Sequence, residues 1–295
     1  MRLSRTLKAS SAVAAIALLA AACGGSNASD PDDAPAPAKK VSFADGTTMA
    51  AIAKVHKLRV GVKFDHPQLS QKNLKGELEG FEADMIRYIG AKLGLKPTQI
   101  EFVEASGTNR EEFLKQDKVD MVVATFSITD QRKQVVSFAG PYLSIKQDLV
   151  VTKGNPEGIQ SPQAPAGKKI CSTLGGTVSK VTRQTYPKAK LVEFDVSSKC
   201  IEALKNGSVD ALATQDLIGA SYVSENPDAL ELLGASYGAE TWGIGIKKGN
   251  VAFCEFINGA LTDFSKDGSY KKAWDATLGR FAKVEQNLPP AAPCA

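Results

Sequence analysis

One stretch near the middle of the chain, residues 120–142, constrains the fold more than any other. It opens with an apolar run at 121–124, which predicts a short buried strand. Thr129, followed by an acidic residue, is typical of a helix N-cap, and Arg132 then falls in the first turn of that helix. A guanidinium, unpaired backbone N–H groups and hydroxyls at the end of a strand form a site for a planar anion, most simply a carboxylate. A surface arginine beside an ordinary capped helix fits the same spacing about equally well.

Apolar runs and helical stripes alternate along the chain, which predicts an α/β fold with a mainly parallel sheet. Besides the run at 121–124, strands are predicted at 58–62, 100–105, 169–172, 191–195 and 209–216. Helices are predicted at 76–95, 111–116, 200–206, 251–266 and 270–278, and another after the turn at 173–177.

The pattern of a helix, Val-Asp, a strand and a polar loop occurs twice and predicts two lobes built alike. Extended segments at 147–155 and 242–250 are predicted to cross between these lobes. Two crossings imply a discontinuous lobe 1, residues 41–147 and 243–295, and an inserted lobe 2, residues 148–242. A cleft between the lobes is then the expected place for a ligand.

Residues 1–22 have the composition of a signal peptide, with a charged start and an apolar run too short to span a bilayer stably. The run ends in LAAACGG, where small residues precede Cys23 as in a bacterial lipobox, although Leu19 lies one place early. We expect Cys23 to be lipidated and to anchor the exported protein to the outer face of the cytoplasmic membrane. A signal peptide cleaved elsewhere is the alternative. Residues 23–40 are predicted to form a disordered tether.

The charge of the chain excludes one class of partner. The formal net charge is +4, but three of the 36 basic residues lie in the predicted signal peptide, and the remaining 33 nearly balance 32 acidic residues. No basic field remains for nucleic acid.

Four cysteines follow Cys23, namely Cys171, Cys200, Cys254 and Cys294. An even count in an exported chain predicts two disulfides, with three possible connectivities. Pairing Cys171 with Cys200 and Cys254 with Cys294 is favoured because each bridge stays within one lobe. Each would contribute roughly 3.5–4 kcal/mol in the chain-entropy model. A zinc site is the alternative, but the chain has no Cys-x-x-Cys spacing and neither histidine lies near a cysteine, so we expect no metal.

The stretch at 120–142 resembles the signature of the polar amino-acid solute-binding proteins of ABC importers (family 3), which reads (S/T)-x-T-x-T-x-x-R…F-S-x-P-Y. The matching residues are Thr125, Ser127, Thr129, Arg132, Phe138, Pro141 and Tyr142. The resemblance extends from about Leu58 to Phe281 and is greatest to the glutamate-binding lipoproteins of actinobacteria. It implies a two-lobe periplasmic-binding-protein fold (type II), in which the arginine clamps the ligand α-carboxylate and the hydroxyl positions help to hold it.

The resemblance assigns further residues to the cleft. In the family, a glycine-rich turn closes on the ligand carboxylate from the second lobe, and Thr177 and Val178 take its place here. The family's acid that binds the ligand α-ammonium corresponds to Asp216, and its aromatic groups that pack on the ligand correspond to Phe81 and Phe64. From the residues alone, plain turn residues, a helix cap and core packing are the respective alternatives.

Arg110 bears on the class of ligand. In relatives that bind acidic amino acids, an arginine near this point reaches the cleft, and a pocket for a neutral ligand would leave its charge unmatched. Lys63 is a second candidate cation for the side-chain carboxylate, and a solvated surface charge is the alternative for both. A dicarboxylic amino acid has two negative charges and one positive charge, which Arg132, Arg110 and Asp216 would balance.

Signals for catalysis are weak. The chain has no G-x-S-x-G, His-Glu-x-x-His or G-x-G-x-x-G motif, and its two histidines, His56 and His66, both precede the cleft motifs. One enzyme class shares the implied fold, the cyclohexadienyl dehydratases, which need a carboxylic acid such as Glu82 or Glu104. We expect no catalytic residue and no cofactor.

The function that the resemblance implies is the capture of glutamate or aspartate, or of their amides, by lobe closure. The bound amino acid would be delivered to an ABC permease, with the protein acting as a monomer. Presentation of the amino acid to a membrane signalling receptor is the alternative output.

Overall fold

The structure is a computed structural model, and it describes residues 35–160, 166–282 and 286–294. The signal peptide, Cys23 and most of the tether predicted above lie outside the described residues. No helix within the described part of the chain has both the length and the apolar composition needed to cross a membrane.

Each predicted strand and helix is present, and the structure adds elements that were not predicted, including helices at Thr48–Val55 and Asp216–Glu225. The strands are β1 (Leu58–Val62), β2 (Asp65–His66), β3 (Ser70–Lys72), β4 (Leu78–Glu79), β5 (Ile100–Glu104), β6 (Met121–Val123), β7 (Val136–Thr152), β8 (Lys169–Thr173), β9 (Lys190–Phe194), β10 (Ala211–Gln215), β11 (Leu230–Leu232) and β12 (Tyr237–Lys247). The helices are α1 (Thr48–Val55), α2 (Phe81–Lys92), α3 (Arg110–Lys115), α4 (Asp130–Lys133), α5 (Thr177–Thr185), α6 (Ser197–Lys205), α7 (Asp216–Glu225), α8 (Val251–Lys266) and α9 (Ser269–Ala276).

One mixed sheet runs through the molecule in the order β5-β1-β6-β12-β7-β10-β8-β9, with β11 paired to β7. The pairs β1–β5, β1–β6, β8–β9 and β8–β10 are parallel, whereas β7 and β12 are antiparallel to their neighbours. We call the side with β1, β5 and β6 lobe 1, and the side with β8, β9 and β10 lobe 2. Because β7 and β12 continue without a break from one side to the other, the boundaries near residues 147 and 242 stay a prediction.

Helices α2, α8 and α9 pack on lobe 1 and contribute many of its buried apolar side chains. The predicted stripe of α8 is confirmed, since Phe253, Ile257, Leu261 and Phe264 are all buried. Phe81, at the start of α2, is fully buried, and its ring lies 5.2 Å from that of Tyr270. The apolar periodicity of these helices therefore specifies the core that supports the lobe 1 side of the cleft.

Both predicted disulfides are present. Cys171 in β8 is bonded to Cys200 in α6, with Cα atoms 5.7 Å apart, and Cys254 in α8 is bonded to Cys294 near the C-terminus, with Cα atoms 5.8 Å apart. Each bridge stays on one side of the molecule, so neither restrains the lobes relative to each other.

The segment at 63–68 is a loop in the sequence prediction, but part of it forms a strand. Asp65 and His66 make up β2, which joins β3 and β4 in a small antiparallel sheet. Two residues are too few to show a two-residue periodicity, so this strand could not be recognised. The small sheet holds Asp65 and His66 at the edge of the cleft.

Candidate ligand-binding site

The two lobes are in contact across the cleft. The backbones of residues 107 and 174–175 approach so closely that a Cβ atom on Gly107 would lie 2.4 Å from the carbonyl oxygen of Leu174. At the opposite rim, the Ser198 N–H donates to Asp65 Oδ2 over 3.0 Å, and His66 Nε2 lies 3.1 Å from Ser197 Oγ. The structure is therefore that of a closed cleft.

A cavity of about 30 Å³ remains between the lobes, enough space for one or a few water molecules. Its walls are formed by residues at the carboxyl ends of parallel strands, which is where ligands bind in open α/β sheets. Lys63 follows β1, Thr125 and Ser127 follow β6, Thr173 ends β8, and Gln215 ends β10. An amino acid is far larger than this space, so the lobes must separate to admit one.

The lobe 1 wall has two buried cations, Lys63 and Arg110, whose side chains are 6% and 3% exposed. Arg110 Nη1 donates to the carbonyl oxygen of Ala124 over 3.1 Å, its guanidinium lies 4.0 Å from the ring of Phe126, and its Nε has no partner. Within the described ranges, no carboxylate oxygen lies within 4 Å of either cation. Burial lowers the pKa of both groups, and the Arg110 charge lowers that of Lys63 further. An anion in the cavity would supply the missing partner.

Thr125 is held in an unusual backbone conformation beside these cations. Its φ of 46° is rare for a β-branched residue. The buried carboxylate of Glu82 accepts a hydrogen bond from the Thr125 N–H over 2.8 Å and others from Ser70 Oγ and Tyr142 Oη. Burial raises the pKa of Glu82. Glu82 therefore supports the wall from behind and does not line the cavity.

The lobe 2 wall is neutral in the described structure. Its lining side chains are hydroxyls, an amide and an apolar group, contributed by Thr173, Thr177, Ser197, Thr214, Gln215 and Ile218. Thr177 Oγ1 lies 3.3 Å from Ser127 Oγ of lobe 1, and both hydroxyls donate to Glu240 Oε2, over 2.8 and 2.6 Å. Glu240, in β12, thus joins the two walls where the strand crosses between the lobes.

Arg132 lies next to the cavity but does not line it. The predicted N-cap is confirmed, since the Arg132 N–H donates to Thr129 Oγ1 over 3.2 Å. Its guanidinium donates to two backbone carbonyls, that of Ser127 in lobe 1 over 2.8 Å and that of Gly175 in lobe 2 over 3.0 Å. Its Nε lies 3.3 Å from a carboxylate oxygen of Glu111. In the closed form the arginine thus ties one lobe to the other.

Four other predicted ligand residues lie away from the cavity. Asp216 is the first residue of α7, and its Oδ1 accepts a hydrogen bond from the Leu217 N–H, one of the free N–H groups of the first turn, over 2.8 Å. The side chain of Val178 is buried in the lobe 2 core, and Phe81 packs in the lobe 1 core. Phe64 is partly buried against that core, with Lys72 Nζ 4.7 Å from its ring. Of the ten predicted ligand residues, the cavity brings together Lys63, Arg110, Thr125, Ser127 and Thr177.

His66 lines the cavity, although its position in the chain gave no reason to expect this. Burial lowers its pKa to about 4, with Asp65 opposing and Lys63 adding to the effect. Asp65 and Ser197 both face Nε2 of the ring, and Nδ1 has no partner. A catalytic triad needs its nucleophile and its carboxylate on opposite ring nitrogens, so this group is not arranged as one.

Sequence reasoning missed His66, Gln215 and Glu240. For Gln215 a signal was present, because it is the last residue of a predicted parallel strand, and ligands bind at the carboxyl ends of such strands. Glu240 gave no signal, since nothing in the sequence of β12 distinguishes a carboxylate that bonds to both walls of the cleft from one that is exposed to solvent. No group of three or more His, Cys, Asp or Glu side chains in the described chain is placed to hold a metal ion.

Comparisons with known proteins agree with this architecture. A family model of bacterial extracellular solute-binding proteins, family 3, matches residues 58–279. The ABC transporter glutamine-binding protein GlnH of Bacillus subtilis is 34% identical over 261 residues, covering 87% of this chain and 91% of that protein. The glutamate-binding protein GluB of Corynebacterium efficiens is 29% identical over 254 residues, covering 83% of this chain and 86% of that protein.

A solved structure is similar over most of the chain. The ancestral amino acid-binding protein AncCDT-1, a precursor of cyclohexadienyl dehydratase, superposes with a TM-score of 0.71 at 28% identity, covering 79% of this chain and 100% of that chain. The molecule therefore has the two-lobe periplasmic-binding-protein fold (type II), and it is an exported protein. Because the family model matches three quarters of the chain, the chain belongs to the bacterial extracellular solute-binding proteins, family 3.

Proposed function

We propose that the protein captures an acidic amino acid outside the cytoplasm and delivers it to an ABC permease. The observation that carries the proposal is the pair of buried cations, Lys63 and Arg110, which face the cavity without a carboxylate partner among the described residues. Keeping such charges out of water is costly unless an anion pairs with them. A dicarboxylic ligand provides that anion, whereas glutamine offers only an amide at the same place.

The proposed contacts follow from the two walls. The side-chain carboxylate of the ligand would pair with Arg110 and Lys63. The α-carboxylate would accept hydrogen bonds from Ser127 and Thr177, the hydroxyls that approach each other across the cleft. Separation of the lobes breaks the contact of Arg132 with Gly175 and frees one side of its guanidinium for this carboxylate. A ligand that touches both lobes would then stabilise the closed form.

The relatives are consistent with an amino acid of this size. One is named for glutamate and the other for glutamine, two amino acids that differ by one functional group. The sequence identities to the two relatives, both near 30%, do not distinguish glutamate from glutamine as the ligand. The two cations of lobe 1 favour glutamate.

Calorimetric titration of the mature protein with the common amino acids tests the proposal. We expect saturable binding of glutamate or aspartate that is at least tenfold tighter than binding of glutamine, and no measurable binding of arginine. Binding of glutamine tighter than that of both acids would contradict the proposal.

Membrane anchoring through a lipidated Cys23 belongs to the same proposal, since the permease lies in the membrane. Replacement Cys23→Ala should release the protein from the membrane fraction into the medium, as seen by fractionation and immunoblotting. Equal membrane retention of the wild type and the variant would contradict lipidation.

Catalysis is a second candidate function, because AncCDT-1 is a precursor of an enzyme and His66 lies in the cavity. Dehydration needs a carboxylic acid beside the leaving hydroxyl, but no carboxylate lines the cavity in the described chain. Glu82 faces away from the cavity, where three hydrogen bonds occupy it. We therefore favour binding without turnover, and product formation from prephenate or arogenate would contradict it.

A further inference from the structure

The end of β10 presents a neutral side chain to the cavity. Gln215 lines the cavity and is 7% exposed, and its amide forms no hydrogen bond to the described part of the chain. Asp216 is the next residue, and its carboxylate accepts a hydrogen bond from the backbone N–H of Leu217. The side chain aimed at the ligand is therefore the amide, and the acid lies outside the lining.

This arrangement leaves the cavity with an unbalanced set of charges. Lys63 and Arg110 contribute positive charge, and the rest of the described lining consists of His66, hydroxyls, backbone, Ile218 and Gln215. A desolvated ammonium group is costly unless a carboxylate pairs with it, and nearby cations add repulsion. The lining itself offers an α-ammonium group only neutral oxygen acceptors, and the carboxylates of Asp65, next to His66, and of Glu240, behind Ser127 and Thr177, lie outside it. Each carboxylate of the ligand, in contrast, would find cations or hydroxyl donors in the lining.

We infer that the site recognises dicarboxylates and does not require an α-ammonium group, with Gln215 as the residue that sets this tolerance. The ligand class then includes dicarboxylic acids of the same length that lack the amine. The inference rests on the proposed function, because it assigns the two carboxylates to the same cations and hydroxyls.

The first test compares two ligands on the wild-type protein by isothermal titration calorimetry. L-glutamate and glutarate have the same two carboxylates and the same chain length, and only glutamate has the ammonium group. We expect their dissociation constants to lie within tenfold of each other. Because this ratio is measured on the unaltered protein, it does not depend on a variant folding.

Two variants then assign the effect to a residue. Gln215→Glu adds a carboxylate at nearly constant size, and it should weaken glutarate relative to glutamate by at least tenfold. Asp216→Asn, the matched control, removes a carboxylate that does not line the cavity and should leave the ratio unchanged. Melting temperatures of both variants establish that they are folded.

The outcomes separate this inference from the proposed function. Glutamate binding more than tenfold tighter than glutarate in the wild type would overturn the inference alone. A change of more than tenfold in the ratio on Asp216→Asn would also overturn it, because Asp216 would then be the group that binds the ammonium. If neither glutamate nor aspartate binds, the proposed function fails and the inference fails with it.

Discussion

The two walls of the cavity differ in charge, although both are built from the carboxyl ends of parallel strands. Lobe 1 contributes two cations: Lys63, which follows the end of β1, and Arg110, which begins α3. Lobe 2 contributes hydroxyls and the amide of Gln215, and no charged side chain within the described lining. The same architecture thus gives one wall suited to select the ligand's charge and another suited to complete its hydrogen bonds on closure.

The contacts that hold the lobes together differ from those that line the cavity. Arg132 and Asp65 lie beside the cavity, and each joins its side chain in lobe 1 to a backbone group of lobe 2. Such contacts favour closure with any amino acid, because the only ligand group that Arg132 would bind, the α-carboxylate, is common to all of them. We therefore expect changes in the lobe 1 wall to alter selectivity, and changes at the lobe contacts to alter affinity for all ligands alike.

Replacement Arg110→Met should have the largest effect. Removing one partner of a buried charge pair costs roughly 3–4 kcal/mol, so glutamate affinity should fall by roughly a hundred- to a thousandfold. Glutamine should lose much less, because its side chain is neutral. The ligand-free variant should be at least as stable as the wild type, since it no longer buries an unpaired guanidinium.

The matched control for this change is Arg59→Met. Arg59 also belongs to lobe 1, but its guanidinium pairs with Asp120 over 2.5 Å and does not line the cavity. We expect it to leave both affinities unchanged in calorimetric titration. An equal loss of glutamate and glutamine binding in Arg110→Met would show that Arg110 does not distinguish ligands by the charge of their side chain.

Acidification should destabilise the closed form through His66. The closed protein keeps this ring neutral with a pKa of about 4, whereas the exposed ring has a pKa near 6.5. As the pH falls from about 6.5 towards 4, only the open or unfolded chain takes up the proton, so stability is lost progressively in that window and is unaffected above it. The full difference corresponds to roughly 3 kcal/mol.

Urea unfolding at pH 7 and at pH 4.5 measures this effect, with His66→Asn as the reference. The wild type should lose more stability between the two pH values than the variant does, because carboxylates titrate in both proteins. The same loss in both proteins would remove His66 from the contact between the lobes.

Replacement Gly107→Ala should weaken every ligand to a similar extent. The added methyl group would meet the backbone carbonyl of Leu174 in the other lobe, so the closed form is disfavoured while each lobe keeps its fold. We expect affinities for glutamate and glutamine to fall by about ten- to a hundredfold, because only a fraction of the protein remains competent to close.

The control for the added methyl group is Gly259→Ala in α8, where a Cβ atom would meet no atom within 4 Å. Calorimetry should show its affinities unchanged. A selective loss of glutamate binding in Gly107→Ala would contradict a purely steric effect on closure.

Replacement Thr177→Val should have the smallest effect, about 1 kcal/mol or roughly fivefold in affinity, because it removes one hydroxyl without changing the size of the side chain. Glu240 Oε2 would keep the hydrogen bond from Ser127. Equal losses for glutamate and glutamine are expected, since the hydroxyl faces the carboxylate that both share. A loss as large as that of Arg110→Met would show that the lobe 2 wall does more than complete the closed form.

Local features of the molecule could be predicted because neighbouring residues determine them. The apolar run at 121–124, the Thr129 cap and the stripe of α8 depend on residues within a few positions of one another. The disulfide pairing was predictable too, once each bridge was assumed to stay within one lobe. Phe81 was ambiguous because an aromatic residue after a glycine can face a ligand or a core, and only the packing of α2 against α9 places it in the core.

The alternation of strands and helices followed from the sequence, because it depends on local periodicity, and the resemblance to a family pointed to the cations of the site. Which side chains face the cavity depends on the tertiary structure. The chain passes from β10 into α7 between Gln215 and Asp216, and the backbone geometry of this junction places Gln215 in the lining and Asp216 outside it. Likewise, the partners of Arg132 and Glu240 come from segments distant in the chain, and only the closed packing of the lobes brings those segments together.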